Sequence, residues 1–247
     1  LVGNRQADIR TSVENEWLCA RIVAAFGLPV ARCEIVQVDD QKVLIVERFD
    51  RVLHSSGKYW LRLMQEDFCQ ATGTPWHRKY QADGGPGLAE MARILRGSVE
   101  SQEDLRTVFR TQLLFWMLAA TDGHAKNYSI RILQGGRFQL TPLYDVLSAW
   151  PIIGKRASEI PLEKVKMAMA MPGQRPHYLH KSIQRRHFET LAKRLGVEAD
   201  AEKLIAEMTQ KAPAIIEEVQ RGLPRNFPQG LLDRVLGGLA KSAKAMA

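Results

Sequence analysis

The stretch Thr121-Asp122-Gly123-His124-Ala125-Lys126-Asn127 decides how this chain is read. It stands where the most apolar segment, Leu113 to Ala120, stops and a pair of short β-rich runs begins. Those runs, Tyr128 to Leu133 and Arg137 to Leu140, flank Gln134-Gly135-Gly136, which has the composition of a tight hairpin. Directly after the hairpin comes Thr141-Pro142-Leu143-Tyr144-Asp145.

This order has a chemical meaning. Phosphoryl transfer needs one carboxylate to accept or orient the proton of the attacking hydroxyl. It also needs an amide oxygen and a second carboxylate to hold magnesium against the phosphates. Mg²⁺ takes hard oxygen ligands, so Asp and Asn suit it while His and Cys do not. Protein kinases carry their base Asp and metal Asn five positions apart on one loop, the spacing of Asp122 and Asn127. The hairpin then returns the chain, so Asp145 stands where a metal-binding carboxylate belongs. Asp, Gly and Asn are also ordinary turn residues, and the spacing alone is a weak signal. The order of apolar helix, Asp-x-His-x-x-Asn, hairpin and Asp is the specific one, and Glu47-Arg48-Phe49 lies upstream of it at a change of character in the chain.

Outward from this stretch, apolar periodicity predicts a helix over Glu14 to Phe26, stopped by Gly27 and Pro29. Strands are expected over Glu34 to Val38 and Val43 to Phe49, joined at Asp39-Asp40. His54 to Lys58 reads as a polar turn and Asp83 to Gly87 as a loop. Helices are expected over Met64–Gly73, Leu88–Arg96, Glu103–Ala120, Arg185–Leu195, Ala199–Arg221 and Gly230–Ala243. The plan is α+β, with a small helix-and-strands piece over residues 1–49 and a mainly helical lobe with one hairpin over 50–247.

The 247 residues are 45% hydrophobic and 25% charged, ordinary for a globular chain with a sizeable core. The net charge of +8 suits anionic partners such as nucleotides, RNA or DNA, although many proteins that bind none of these are equally basic. Cys19, Cys33 and Cys69 offer neither a disulfide framework nor a CxxC metal pair, and read as reduced core cysteines of a cytoplasmic protein. The longest apolar run is far short of the ~20 residues of a membrane span, so no membrane partner is expected. His177, His180 and His187 lie among Arg175, Lys181, Arg185 and Arg186 and read as basic surface rather than a metal site. Trp76, Trp116 and Trp150 read as packing residues, with Trp76 exposed towards the substrate side.

The chain resembles the C-terminal kinase region of the HipA-like toxins of bacterial toxin–antitoxin pairs. The resemblance is carried by Glu14-Asn15-Glu16, Val46-Glu47-Arg48-Phe49-Asp50-Arg51, Gln65-Glu66-Asp67-Phe68-Cys69-Gln70, and Lys79-Tyr80 with Asp83-Gly84-Gly85-Pro86-Gly87. It continues through Ala119 to Asn127 and Leu140 to Asp145, and more weakly through Arg186-His187-Phe188. It implies a protein-kinase-like fold that uses ATP and Mg²⁺ to phosphorylate protein serine or threonine. It makes Asp122 the catalytic base and Asn127 and Asp145 the metal ligands. It sets His124 near the phosphates and Glu47 and Phe49 at the adenine-binding hinge. It implies an aminoacyl-tRNA synthetase as substrate, with growth arrest and persistence as the outcome, and a helix-turn-helix antitoxin as partner.

The chain departs from a complete kinase. No GxGxxG, no Walker-type motif and no lysine-bearing strand precedes the Glu14 helix, and Lys42 follows it. The chain begins with Leu1, and the phosphate loop, the strand lysine and the family's autophosphorylated serine are expected upstream. Glu16, or else Glu14, is the expected helix partner of that lysine. Both acids also suit a helix N-terminus for its own sake. The 247-residue piece alone is therefore expected to be a poor catalyst. Arg185, Arg186, Lys193 and Arg194 either face operator DNA in the antitoxin complex or form a solvated helix face. Two other readings stay open: a non-catalytic antitoxin- and DNA-binding co-repressor, and a lipid-kinase-like phosphotransferase.

Overall fold

The computed structural model describes residues 10–247; the first nine residues of the expected 1–49 piece lie outside the described residues. Helix α1 (Ser12–Ala25) is followed by the antiparallel pair β1 (Cys33–Val38) and β2 (Gln41–Val46), with Cys33 opposite Val46 and Val38 opposite Gln41. The turn between them places Asp39 at φ 52°. The expected second strand stops at Val46 rather than Phe49, because the Arg51 N–H bonds the Arg48 carbonyl (3.2 Å) and turns the chain.

A second hairpin follows, β3 (Arg51–Leu53) with β4 (Trp60–Arg62), where only a polar turn was expected. Its alternation is hidden because both faces of the pair are largely exposed, Trp60 and Leu61 among them. The helix expected over 64–73 divides in two. Gln65–Asp67 is β5, and only Phe68–Ala71 is helical (α2). Asp67 caps that helix through the Gln70 N–H, while the Gln70 side chain accepts from the Asp67 N–H, so helix cannot extend further back.

After α3 (Leu88–Leu95) comes α4 (Ser101–Leu118), the axis of the fold, buried on nearly every side from Leu113 to Leu118. The hairpin of β6 (Ser129–Ile132) and β7 (Phe138–Leu140) joins β5 in the order β5-β6-β7. Gly135 and Gly136 turn it at φ 74° and 73°. A pair that the sequence reading missed, β8 (Lys166–Met171) and β9 (His177–Leu179), lies before the C-terminal helices. The Met-Ala-Met-Ala-Met run of β8 after exposed Lys166 is buried on both faces and so shows no period-2 contrast.

Helices α5 (Arg185–Leu195), α6 (Glu198–Arg221) and α7 (Gln229–Met246) complete the chain. Leu18 and Ile22 of α1, Phe109 and Leu113 of α4, Phe188 of α5, Ile205 of α6 and Val235 of α7 share one hydrophobic core. Among the described residues no helix is long and apolar enough to cross a membrane.

His180 and His187 are not surface groups. Both are buried, and the His180 ring stacks on Trp116 at 5.1 Å and bonds the Trp116 carbonyl (2.8 Å). The His187 ring accepts the Gln184 N–H at the start of α5 (3.0 Å). These histidines seal the packing of α4 and α5.

Candidate functional site

The C-terminus of α4 aims the decisive loop. Ala119 takes a left-handed conformation (φ 48°), which ends the helix and turns Thr121-Asp122 outward. Gly123 follows against the Phe115 ring, where an added Cβ would lie 2.5 Å from ring carbons, so a side chain here would lift the loop off the core. Asp122 is left with its side chain 54% exposed, while His124 and Asn127 turn inward and are buried.

Asn127 and Asp145 meet directly. The Asn127 amide nitrogen donates to Asp145 Oδ2 (2.8 Å) and to the Asp145 carbonyl (3.1 Å). This orientation leaves Asn127 Oδ1 buried with no partner among the described residues. Asp145 stands at φ 57°, so the loop is bent to hold its carboxylate there. Burial pushes the Asp145 carboxyl above the usual range, the Asn127 bond opposes that, and the nearby Asp122 charge adds to it. Burial pushes His124 downward, towards the neutral imidazole, and neither ring nitrogen has a partner among the described residues.

The segment carrying Asp145 is pinned to α1. The Asn15 side chain donates to the Ser148 carbonyl (2.8 Å) and accepts the Ser148 N–H (3.0 Å). The Ala31 N–H bonds the Leu143 carbonyl, and the Leu143 N–H bonds the Pro29 carbonyl, both at 2.8 Å. These contacts bring α1, β1 and the Asp145 loop around an open cleft of about 240 Å³, whose lining includes Glu16, Ala31, Val46, Tyr144 and Asp145. The Glu16 carboxyl is raised to about 7 by burial and then by the Asp145 charge. Glu14 is taken by Lys42 of β2, with which it forms a buried-end ion pair. Of the two candidate acids, Glu16 is thus the one facing the cleft.

At the expected hinge, the Glu47 N–H bonds the Arg32 carbonyl (2.8 Å) and continues the β-pairing. The Phe49 carbonyl accepts from Arg131 (3.0 Å), and its ring lies 5.9 Å from that of Tyr144. The Glu47 carbonyl and the Phe49 N–H have no partner among the described residues. One free acceptor and one free donor, two residues apart beside Val46, match what an adenine edge requires.

The four expected cations on α5 do not behave alike. Arg185 is committed to the C-terminus: it donates to the Met246 carbonyl (2.8 Å) and pairs with Glu202. Arg186, Lys193 and Arg194 are exposed. Trp76 is also exposed, on the same segment that delivers Lys79 and Tyr80 to the Asp122 loop.

The sequence reading overlooked two kinds of residue here. Asn15 works through backbone bonds that only the tertiary fold creates, and Tyr80 donates its hydroxyl to Asp122 Oδ1. Both lie in stretches that carry the resemblance, which was the available signal.

Comparison with known proteins follows the same lines. The HipA-like C-terminal domain family matches residues 3–216. The chain belongs to that family. It is 36% identical over 138 residues to Y4mE of Sinorhizobium fredii, which bears a kinase name, covering 56% of this chain and 32% of that protein. It is 31% identical over 150 residues to the serine/threonine-protein kinase toxin HipA of Shewanella oneidensis, covering 55% of this chain and 34% of the toxin. HipA of that bacterium, solved with HipB and operator DNA, superposes with a TM-score of 0.80 at 22% identity, covering 95% of this chain and 55% of that one. The Helicobacter pylori proinflammatory kinase CtkA has a TM-score of 0.61 at 11% identity, covering all of this chain and 89% of that one. The matched part therefore spans about a third of the curated relatives' length. The HipA-like chain has an α+β fold with kinase-like structural neighbours.

Proposed function

We propose that this HipA-like chain carries the catalytic and metal-binding loops of an ATP- and magnesium-dependent serine/threonine protein kinase of a toxin–antitoxin system. The observation that carries the reading is the Asn127–Asp145 contact, which leaves a buried amide oxygen unpartnered beside a carboxylate. Hard oxygen donors of this kind fit Mg²⁺, which prefers one or two carboxylates plus the oxygens of a substrate phosphate. Among the described residues no group of three His, Cys, Asp or Glu could hold a metal unaided.

In this reading Asn127 and Asp145 would hold magnesium, which would supply positive charge to neutralise the transferring phosphate. The Glu47 carbonyl and Phe49 N–H receive the adenine, and buried His124 faces the phosphates. Asp122 receives or orients the proton of the acceptor hydroxyl. The acceptor oxygen bonds the γ-phosphorus as the bridging bond to the β-phosphate breaks, and ADP carries the electron pair away. The Glu16 carboxyl is raised by burial and then by the Asp145 charge, and a lysine amine entering the cleft would ionise it. The described residues 10–49 would then form part of the smaller kinase lobe and 50–247 the helical lobe.

The family relationship extends the proposal to partners. An aminoacyl-tRNA synthetase is the proposed substrate and growth arrest the proposed outcome. A helix-turn-helix antitoxin and its operator DNA are the proposed assembly, with exposed Arg186, Lys193 and Arg194 as DNA-facing cations. The decisive test is Asp122→Asn in the full-length protein. Nucleotide binding should persist while phosphate transfer falls by about 10²–10⁴. Undiminished transfer would remove Asp122 from the mechanism.

A further inference from the structure

Tyr80 stands in a loop that is closed upon itself. Its carbonyl accepts from the Asp83 N–H (3.0 Å) and the Gly85 N–H (2.9 Å). Gly85 passes so close beneath that an added Cβ would lie 2.1 Å from the Arg78 carbonyl oxygen and 2.8 Å from that of Tyr80. The next side chain, Gln81, accepts the Ala170 N–H of β8 (2.8 Å), and the Gly87 N–H is bonded by Glu90 as α3 begins (3.0 Å). The Lys79 carbonyl meets the Ala125 N–H of the Asp122 loop (3.4 Å). The Asp83-Gly84-Gly85-Pro86-Gly87 run therefore fixes the backbone of Tyr80 against β8, α3 and the candidate catalytic loop.

The side chain shows what this anchoring serves. The Tyr80 hydroxyl donates to Asp122 Oδ1, and its ring packs edge-on against His124, with centroids 5.1 Å apart at 83°. Asp122 is otherwise weakly held. Its side chain is 54% exposed, and His124 is 3.8 Å away, beyond hydrogen-bond reach. Among the described residues the Tyr80 hydroxyl is the one group that bonds the Asp122 carboxylate. Burial and the facing carboxylate push the Tyr80 phenol upward, so it remains a donor.

We infer that Tyr80 is a positioning residue for the acceptor step: it fixes the Asp122 carboxylate through Oδ1 and leaves Oδ2 to receive the acceptor hydroxyl. The inference rests on the reading of Asp122 as the base. A charge-assisted O–H···O⁻ bond is among the stronger side-chain contacts, and an unfixed carboxylate on an exposed loop loses the orientation that transfer needs. The acceptor proton goes to Oδ2 and the Tyr80 proton stays on Tyr80, so the phenol is unchanged over a turnover.

The test uses the full-length protein with Tyr80→Phe, Asp122→Asn and the double variant, measuring phosphate release from Mg·ATP. Tyr80→Phe should lower kcat roughly tenfold with the KM for Mg·ATP within about twofold, because Phe keeps the ring packed against His124 and removes only the hydroxyl. The double variant should be no slower than Asp122→Asn alone, since the two act as one unit. Carbon-13 NMR of ring-labelled tyrosine gives a readout apart from turnover. The Tyr80 Cζ resonance, assigned by its loss in Tyr80→Phe, should move in Asp122→Asn. An unchanged kcat, additive losses or an unmoved resonance would overturn the inference. A raised kcat would also overturn it, by making Tyr80 a plug on the acceptor site. Should the resonance move while Asp122→Asn leaves turnover intact, the kinase reading falls and takes the positioning role with it, leaving a purely structural contact.

Discussion

Replacing Glu16 by Gln should stabilise the chain at pH 8 and have little effect at pH 5. The Glu16 carboxyl is raised from 4.5 to about 7, first by burial and then by Asp145 across the cleft. In the unfolded chain it ionises near its ordinary value. Below about pH 4.5 both states hold the proton and the site costs nothing. Between about 4.5 and 7 the unfolded state releases its proton more readily, so folding loses stability as pH rises. Above about 7 the cost is complete. At 1.36 kcal/mol for each decade the full gap corresponds to about 3 kcal/mol, and partial solvent contact lowers it to about 1–3 kcal/mol. Gln has nearly the same shape as the protonated acid and carries no charge. Urea denaturation of both proteins at pH 5 and pH 8 measures the effect. A gain of about 1–3 kcal/mol at pH 8 that shrinks below about 1 kcal/mol at pH 5 is expected. Equal effects at both pH values, or a loss at pH 8, would refute the assignment of Glu16 as an uncompensated acid facing the cleft.

Asn15→Ala should destabilise the fold by roughly 2–4 kcal/mol in the same assay, because the buried Ser148 N–H and carbonyl both lose their partner. Its nucleotide affinity should fall as well, since Ser148 lies three residues after Asp145. Replacing Arg186, Lys193 and Arg194 together by Ala should flatten the salt dependence of operator binding by the proposed antitoxin complex, by roughly 0.9 in log–log slope for each lost phosphate contact. An unchanged slope would make them a solvated helix face.

Much of the fold was legible because its helices are amphipathic and punctuated. Gly27 and Gly135-Gly136 stop or turn elements where the sequence says they should. The unreadable parts lack a local signal, each for its own reason. β5 exists because Gln65 to Asp67 pair with Arg131 to Ser129, and without β6 the same residues read as the start of a helix. β8 is apolar from Met167 to Met171, so period-2 contrast is absent, and β3–β4 is exposed on both faces. At the site, the Asp122, Asn127 and Asp145 order was readable because spacing along a loop and hairpin is itself geometry. The fold does bring Asn127 and Asp145 into contact and sets Glu16 in the same cleft as Asp145. The roles of Asn15 and Tyr80 were not readable, because each acts on a group 133 or 42 positions away. The histidines misread as surface show the same limit, since a basic neighbourhood in sequence says little about which way His180 and His187 point.

The most direct test of the account is calorimetric titration of Mg·ATP into this chain and into Asp145→Asn. Magnesium-dependent binding that is weakened at least tenfold by the substitution is the predicted result, because the proposed metal site is made of Asp145 and the Asn127 amide oxygen. Binding that is indifferent to magnesium or to Asp145→Asn, or no binding by either protein, would contradict it.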